Sequence, residues 1–133
     1  MSQVVQQKIA NIALMVKHYD EAIAFYTQKL QFTLVEDIPL DDDNRWVQIS
    51  PPHANGTYLL LVRADTDEKR RAIGNQTGGA VFLILHTNDF WRDYHNMKEQ
   101  GVTFDEVPRE EPYGTVVVFQ DLYGNKWDLL QPK

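Results

Sequence analysis

Asn11 to Asp20 reads NIALMVKHYD, and Ala80 to Asp89 reads AVFLILHTND. Both stretches run through a row of apolar residues into a polar turn and then an aspartate. Ile12, Leu14, Met15 and Val16 fall on Val81, Leu83, Ile84 and Leu85. The match continues without a gap, so that residues 11–39 reappear at 80–108. Along it Asp20 falls on Asp89, Phe25 on Tyr94, Lys29 on Lys98, Gln31 on Gln100 and Pro39 on Pro108. Both windows read strand, helix, strand, then proline. A second pair follows at nearly the same offset, where Gly56 before Tyr58–Val62 answers Gly124 before Trp127–Leu130. A duplicated half-domain sets corresponding residues about a pseudo-two-fold axis. The cleft between the halves is then the natural place to seek a site.

Working outward, Lys8 to Val16 predicts a strand buried on both faces. Asp20 predicts a helix start, and Ile23, Tyr26 and Leu30 share one face at helical spacing. Phe32–Val35 begins a strand that ends near Pro39. Asp41-Asp42-Asp43-Asn44 is a solvated turn into the alternating strand Arg45–Ser50, which stops at Pro51-Pro52 because proline cannot donate to a ladder. Asn55-Gly56 turns the chain into Tyr58–Val62. The second half repeats the plan, with strand Ala80–His86 and a helix from about Asp89 whose stripe is Phe90, Tyr94 and Met97. Gly101 is its stop, and strands follow near Val102–Val107, Thr115–Gln120 and Lys126–Leu130. Each half is a βαβββ unit, about 8–63 and 79–131, joined by the polar connector 64–78 with one helical turn. Neither unit can bury its sheet alone, so the two must pair. The fold class is α+β: residues 1–133 form one domain in which two βαβββ modules make a cleft-bearing, eight-stranded mixed sheet.

Composition narrows the function. The 133 residues carry 13 Lys and Arg against 19 Asp and Glu, a formal charge of −6, and no cysteine. Disulfides, thiolate metal sites and cysteine nucleophiles are therefore absent, which suits the cytoplasm. No run approaches the ~20 apolar residues of a membrane span, and Met1–Gln7 lacks the pattern of a signal peptide. The Asn55 and Asn75 sequons then carry no meaning. The one dense basic cluster, Lys69-Arg70-Arg71, is short and flanked by Asp65, Asp67 and Glu68. Neither nucleic acid nor membrane is expected as a partner.

Asp20 with Ala24-Phe25-Tyr26 and Leu30-Gln31-Phe32 resembles the D-x-x-x-A/S-x-F-Y…L-G-F signature of the vicinal oxygen chelate superfamily. Asp121-Leu122-Tyr123-Gly124-Asn125-Lys126-Trp127-Asp128-Leu129-Leu130-Gln131 resembles its D-P-x-G-N-x-x-E-L-x-Q ending. The superfamily holds glyoxalase I, extradiol dioxygenases, fosfomycin-resistance enzymes and bleomycin-resistance binding proteins. The resemblance covers essentially the whole chain and implies the paired βαβββ architecture and a homodimer. It is specific for the fold and a poor guide to chemistry, because site and fold vary independently. The family's metal enzymes keep one ligand at each of four strand positions, which fall here on Asn11, Leu60, Ala80 and Asp128. Leucine and alanine donate nothing, Asn11 is a weak neutral donor, and Asp128 is a single carboxylate. No metal is expected at the family position, and no motif calls for a cofactor.

Strand parity selects the candidate site residues. If Ala80 faces the cleft, so do Phe82, Ile84 and His86. Asn11 brings Ala13 and Met15, Leu60 brings Tyr58 and Val62, and Asp128 brings Lys126 and Leu130. Val47 and Ile49 suit the helix-packed face, which turns Trp46, Gln48 and Ser50 inward. His86 suits acid/base work, with a turn histidine bonded to Thr87 or Asn88 as the rival reading. Asp128 is a ligand anchor or general base, or else a structural carboxylate bonded to Asn11 or Lys126. His18, His53 and His95 read as surface or turn histidines, since none lies at a ligand spacing. The Arg109–Gly114 loop adds Arg109 and Tyr113 to the ligand-binding candidates Asn11, Trp46, Gln48, Tyr58 and Phe82. The expected function is a metal-independent small-molecule binder of the bleomycin-resistance kind. The alternative is a glyoxalase-like lyase or dioxygenase-like enzyme using His86 and Asp128.

Overall fold

The structure is a computed structural model that describes residues 4–133. The first unit runs β1 (Asn11–Val16), α1 (Tyr19–Ala24), a π-helical turn (Phe25–Lys29), β2 (Thr33–Pro39), β3 (Arg45–Ser50) and β4 (Tyr58–Arg63). A connector holding α2 (Asp67–Ala72) leads to β5 (Val81–His86) and α3 (Phe90–Glu99). The second unit then continues through β6 (Thr103–Phe104), β7 (Arg109–Glu111), β8 (Gly114–Gln120) and β9 (Lys126–Pro132).

The sheets have the orders β1-β4-β3-β2 and β5-β9-β8-β6, with β7 also on β8. In each, the first and last strands of the unit pair in parallel and the remaining pairs are antiparallel. The fold is thus α+β, built from two βαβββ-like mixed sheets of matching order. The second sheet has a fifth strand because its counterpart of β2 is broken. Val118 N donates to the Glu106 carboxylate at 3.1 Å, so a side chain takes the place of a ladder acceptor. Pro108 follows without an N–H, and pairing resumes only at Arg109.

The two helices start differently, although their aspartates echo. Asp89 caps α3, accepting from Arg92 N at 3.2 Å, and Gly101 ends it at φ +85°, a conformation that favours glycine. In the first unit the cap position is His18, without a side-chain bond, and Asp20 lies inside the first turn. Asp20 instead accepts from Arg45 Nη1 at 2.9 Å, and Arg45 also donates to Asp37. Because the helix begins at Tyr19, Asp20 lies past its cap position and sets its charge near the helix N-terminus. The Gln76 side chain closes the outer edge of β1, accepting from Met15 N and donating to Ala13 O at 2.9 Å.

One apolar core spans both units. Leu14, Tyr26, Ile49 and Leu61 of the first join Phe90, Phe119, Trp127 and Leu129 of the second. Trp127 stands between them, with its ring 6.0 Å from those of Tyr26, Phe32 and Phe82 and 5.9 Å from Phe119. The Tyr26 hydroxyl donates to buried Asp121 at 2.7 Å across the units. Burial and the Asp121 charge push the Tyr26 phenol well above its ordinary range.

Candidate functional site

Residues directly opposite on paired strands share a face, so register decides what each sheet presents. In the first sheet Leu14, Val47, Ile49, Leu59 and Leu61 are in the core. The opposite face carries Asn11 beside Tyr58, then Ala13, Leu60 and Gln48 in one cross-strand row. Trp46 follows on the same face, next to Ile38 of β2. The Asn11 amide nitrogen is buried and has no hydrogen-bond partner among the described residues. Trp46, Leu60 and Val62 also wall a cavity of about 320 Å³.

In the second sheet Asp128 lies between Ile84 on β5 and Val118 on β8. His86 and Leu130 form the next row, and Val116 extends it to Arg109 on β7. This face is open around Ile84, which is 58% exposed, and closed one row on, where Leu130 and Val116 are buried. Asp128 has no hydrogen-bond partner among the described residues. Desolvation by its apolar neighbours raises its pKa, and the Glu106 charge adds to this against the pull of Arg109. Arg109 is held elsewhere. It donates to Glu106 at 2.9 and 3.0 Å and to Glu111 at 2.8 Å, which strengthens its hold on its proton. The rival reading of His86 finds no bond to Thr87 or Asn88 among the described residues, where the Thr87 hydroxyl donates to Asp93 and accepts from Asp89 N, and Asn88 accepts from Arg92.

Two candidates leave these rows. The β5–β9 register slips between Val81 and Leu83, so Val81 faces Lys126 while Leu83 faces Trp127. This bulge inverts the parity upstream of it and packs Phe82 against Trp127 in a T-shaped contact at 85°. Tyr113 sits at the β7–β8 hairpin tip, 53% exposed. The structure therefore gathers Asn11, Trp46, Gln48 and Tyr58 on one sheet and His86, Arg109 and Asp128 on the other. Glu106, the residue that ties up Arg109, escaped the sequence reading because no spacing rule brings an irregular-loop carboxylate onto the β8 row.

The family metal can be tested against these residues. Among the described residues no group of three or more His, Cys, Asp or Glu could hold an ion. Of the four family positions, Asp128 supplies the one strong donor, and it has Ile84 and Val118 as neighbours. The residues present do not fit a transition-metal site of the family kind.

Because the folded-state pKa of Asp128 lies above its unfolded value, the folded chain binds the proton more tightly. The charged form thus destabilises the fold above the ordinary aspartate range of about 3.9, and the penalty vanishes below it. Asp128→Asn should stabilise the protein at neutral pH by less than about 1 kcal/mol, since solvent screens a partly exposed group. Urea midpoints at pH 7 and pH 3 measure this. A gain as large at pH 3 as at pH 7 would contradict the origin assigned to it.

Comparison with known proteins gives a consistent picture. A model of the Glyoxalase/Bleomycin resistance protein/Dioxygenase superfamily matches residues 8–129. An uncharacterized protein of Shewanella frigidimarina is 57% identical over 127 residues, spanning 95% of this chain and 94% of its own. The crystal structure of UcmS2 superposes with a TM-score of 0.82 at 27% identity, covering 95% of this chain and 98% of that one. TnmS3, an antibiotic binding protein from Streptomyces sp. CB03234, has a TM-score of 0.77 at 28% identity, with 98% and 100% covered. No helix of the described residues is long and apolar enough to cross a membrane.

Proposed function

This chain belongs to the glyoxalase/bleomycin resistance protein/dioxygenase superfamily, and from that premise we propose that it is a metal-independent binder of a small organic molecule. The observation that carries the reading is Asp128, a carboxylate without a hydrogen-bond partner set between apolar residues on an open sheet face. Such a group suits a ligand that brings a cation or hydrogen-bond donor together with apolar surface. Asn11, with its unpartnered amide, and the Trp46, Gln48 and Tyr58 row offer a second wall. The likeness to TnmS3, an antibiotic binding protein, supports a ligand of natural-product size.

The two sheet faces belong to one domain whose binding cleft is completed in a homodimer, where the open faces of two copies are covered. Light scattering at micromolar concentration should return twice the chain mass, and a monomer would remove this part of the proposal. A cytoplasmic setting accords with the absence of cysteine.

The test is a thermal-shift screen of cationic and neutral natural products, followed by titration. Asp128→Asn should weaken a cationic ligand roughly tenfold or more, the effect of losing a charge-assisted hydrogen bond. Trp46→Phe should weaken it less, since the ring face survives. Unchanged affinity in Asp128→Asn would return Asp128 to a structural role. The enzyme reading has one observation in its favour, the raised pKa of Asp128 one row from His86. Turnover of a bound compound, abolished by His86→Gln with binding kept, would establish it instead.

A further inference from the structure

A second cavity, of about 540 Å³, lies between the end of the first helix and the start of α3. Its floor is apolar, formed by Leu30, Leu85, Met97 and Leu129. Its rim carries Lys29, Arg92, His53 and Asn96. The size and the mixture of walls are those of small-molecule pockets.

The rim has a surplus of positive charge in a chain whose net charge is −6. The Asp93 carboxylate on the rim is taken by Arg92 and by the Thr87 hydroxyl. Lys29 has no carboxylate partner among the described residues, and its ammonium lies 5.8 Å from the Phe25 ring. The His53 ring and the Asn96 amide make no hydrogen bond among those residues either.

Backbone strain points to the same place. Gln31 and His53 are the non-glycine residues with positive φ among the described residues, at +63° and +54°, and both line this cavity. Gln31 follows the helix, where glycine is the low-cost residue, and its amide donates to Gln28 O at 3.0 Å. That bond accounts for Gln31 as a helix end. His53 has no such account. It is the third residue of a turn closed by Ala54 N donating to Pro51 O at 3.3 Å, a position that takes glycine when φ is positive. Histidine enters this region more readily than most non-glycine residues, and residues held in it cluster at functional sites.

We propose that this cavity is a second small-molecule site, for an apolar molecule that bears a carboxylate or phosphate. Lys29 attracts the anion, Arg92 adds the N–H donors that Asp93 and Asn88 leave free, His53 and Asn96 donate hydrogen bonds to it, and the leucine and methionine floor takes the apolar body. The site does not include Asp128, although His86 lines this cavity and also stands one row from Asp128 on the sheet face.

The test is NMR titration of the labelled full chain with phenyl phosphate and with benzoate, and with benzylamine as the cationic control. At least one anion should shift the amides of Lys29, His53 and Asn96 saturably, and benzylamine should not. Response to one anion alone assigns the head group. Lys29→Gln should lower the affinity roughly tenfold. His53→Gly should also lower it while leaving Tm unchanged or raised, because glycine relieves the backbone. Asp128→Asn should leave the anion affinity unaltered, which separates this site from the sheet face. The proposal is overturned if neither anion saturates at millimolar concentration, or if benzylamine binds equally. Shifts centred on Ile84 and Asp128, or unchanged affinity in both Lys29→Gln and His53→Gly, would overturn it too.

Discussion

Asp121→Ala is expected to destabilise the protein by about 3–4 kcal/mol, because it strands several buried donors at once. The Asp121 carboxylate accepts from the Tyr26 hydroxyl at 2.7 Å, and from Tyr123 N, Asn125 N and Asn125 Nδ2 at 2.9 Å each. The residue is 6% exposed, so water cannot replace it. Three of these bonds shape the turn into β9, and the fourth ties that turn to the first unit. Asp121→Asn should cost less, about 1–2 kcal/mol, since the amide keeps one accepting oxygen. Urea denaturation measures both. A loss below 1 kcal/mol for Asp121→Ala would mean that the turn closes without its carboxylate. The Asp-x-x-Gly-Asn segment that marks the family is, in this chain, a structural network at the entrance to the strand carrying Asp128.

Trp127→Ala should cost about 3–5 kcal/mol, the range for removing a large aromatic from a core. The indole is 2% exposed and touches rings from both units, Tyr26 and Phe32 on one side, Phe82 and Phe119 on the other. The loss takes up much of the roughly 5–15 kcal/mol by which a domain of this size is stable. The same variant reports on how the units cohere. Hydrogen exchange should accelerate in both sheets together if the shared core couples them. Acceleration confined to β5, β8 and β9 would show that the units open independently.

Neighbouring residues fixed much of the fold. Phe90, Tyr94 and Met97 read as one packed stripe by helical spacing, and all are buried, whereas β1, expected to be buried on both faces, alternates, with Leu14 and Val16 buried and Ala13 exposed. Asp89 and Gly101 act within one turn of helix, so their cap and stop were legible. The echo of 11–39 at 80–108 carried the repeated strand order, because equal patterns bury equal faces. Tertiary structure decided what depends on residues far apart in the chain. The bulge before Leu83 moved Phe82 onto Trp127, and a register slip is set by the partner strand rather than by the strand itself. Arg45, from β3, pairs with Asp20 in the first turn of α1. Glu106 reached β8 from an irregular segment, claimed Arg109, and so left Asp128 without a partner. The cavity beneath His53 draws its walls from five separate stretches of chain. Local periodicity reports which face of an element is apolar, whereas a site is made by side chains that only the packed units bring together.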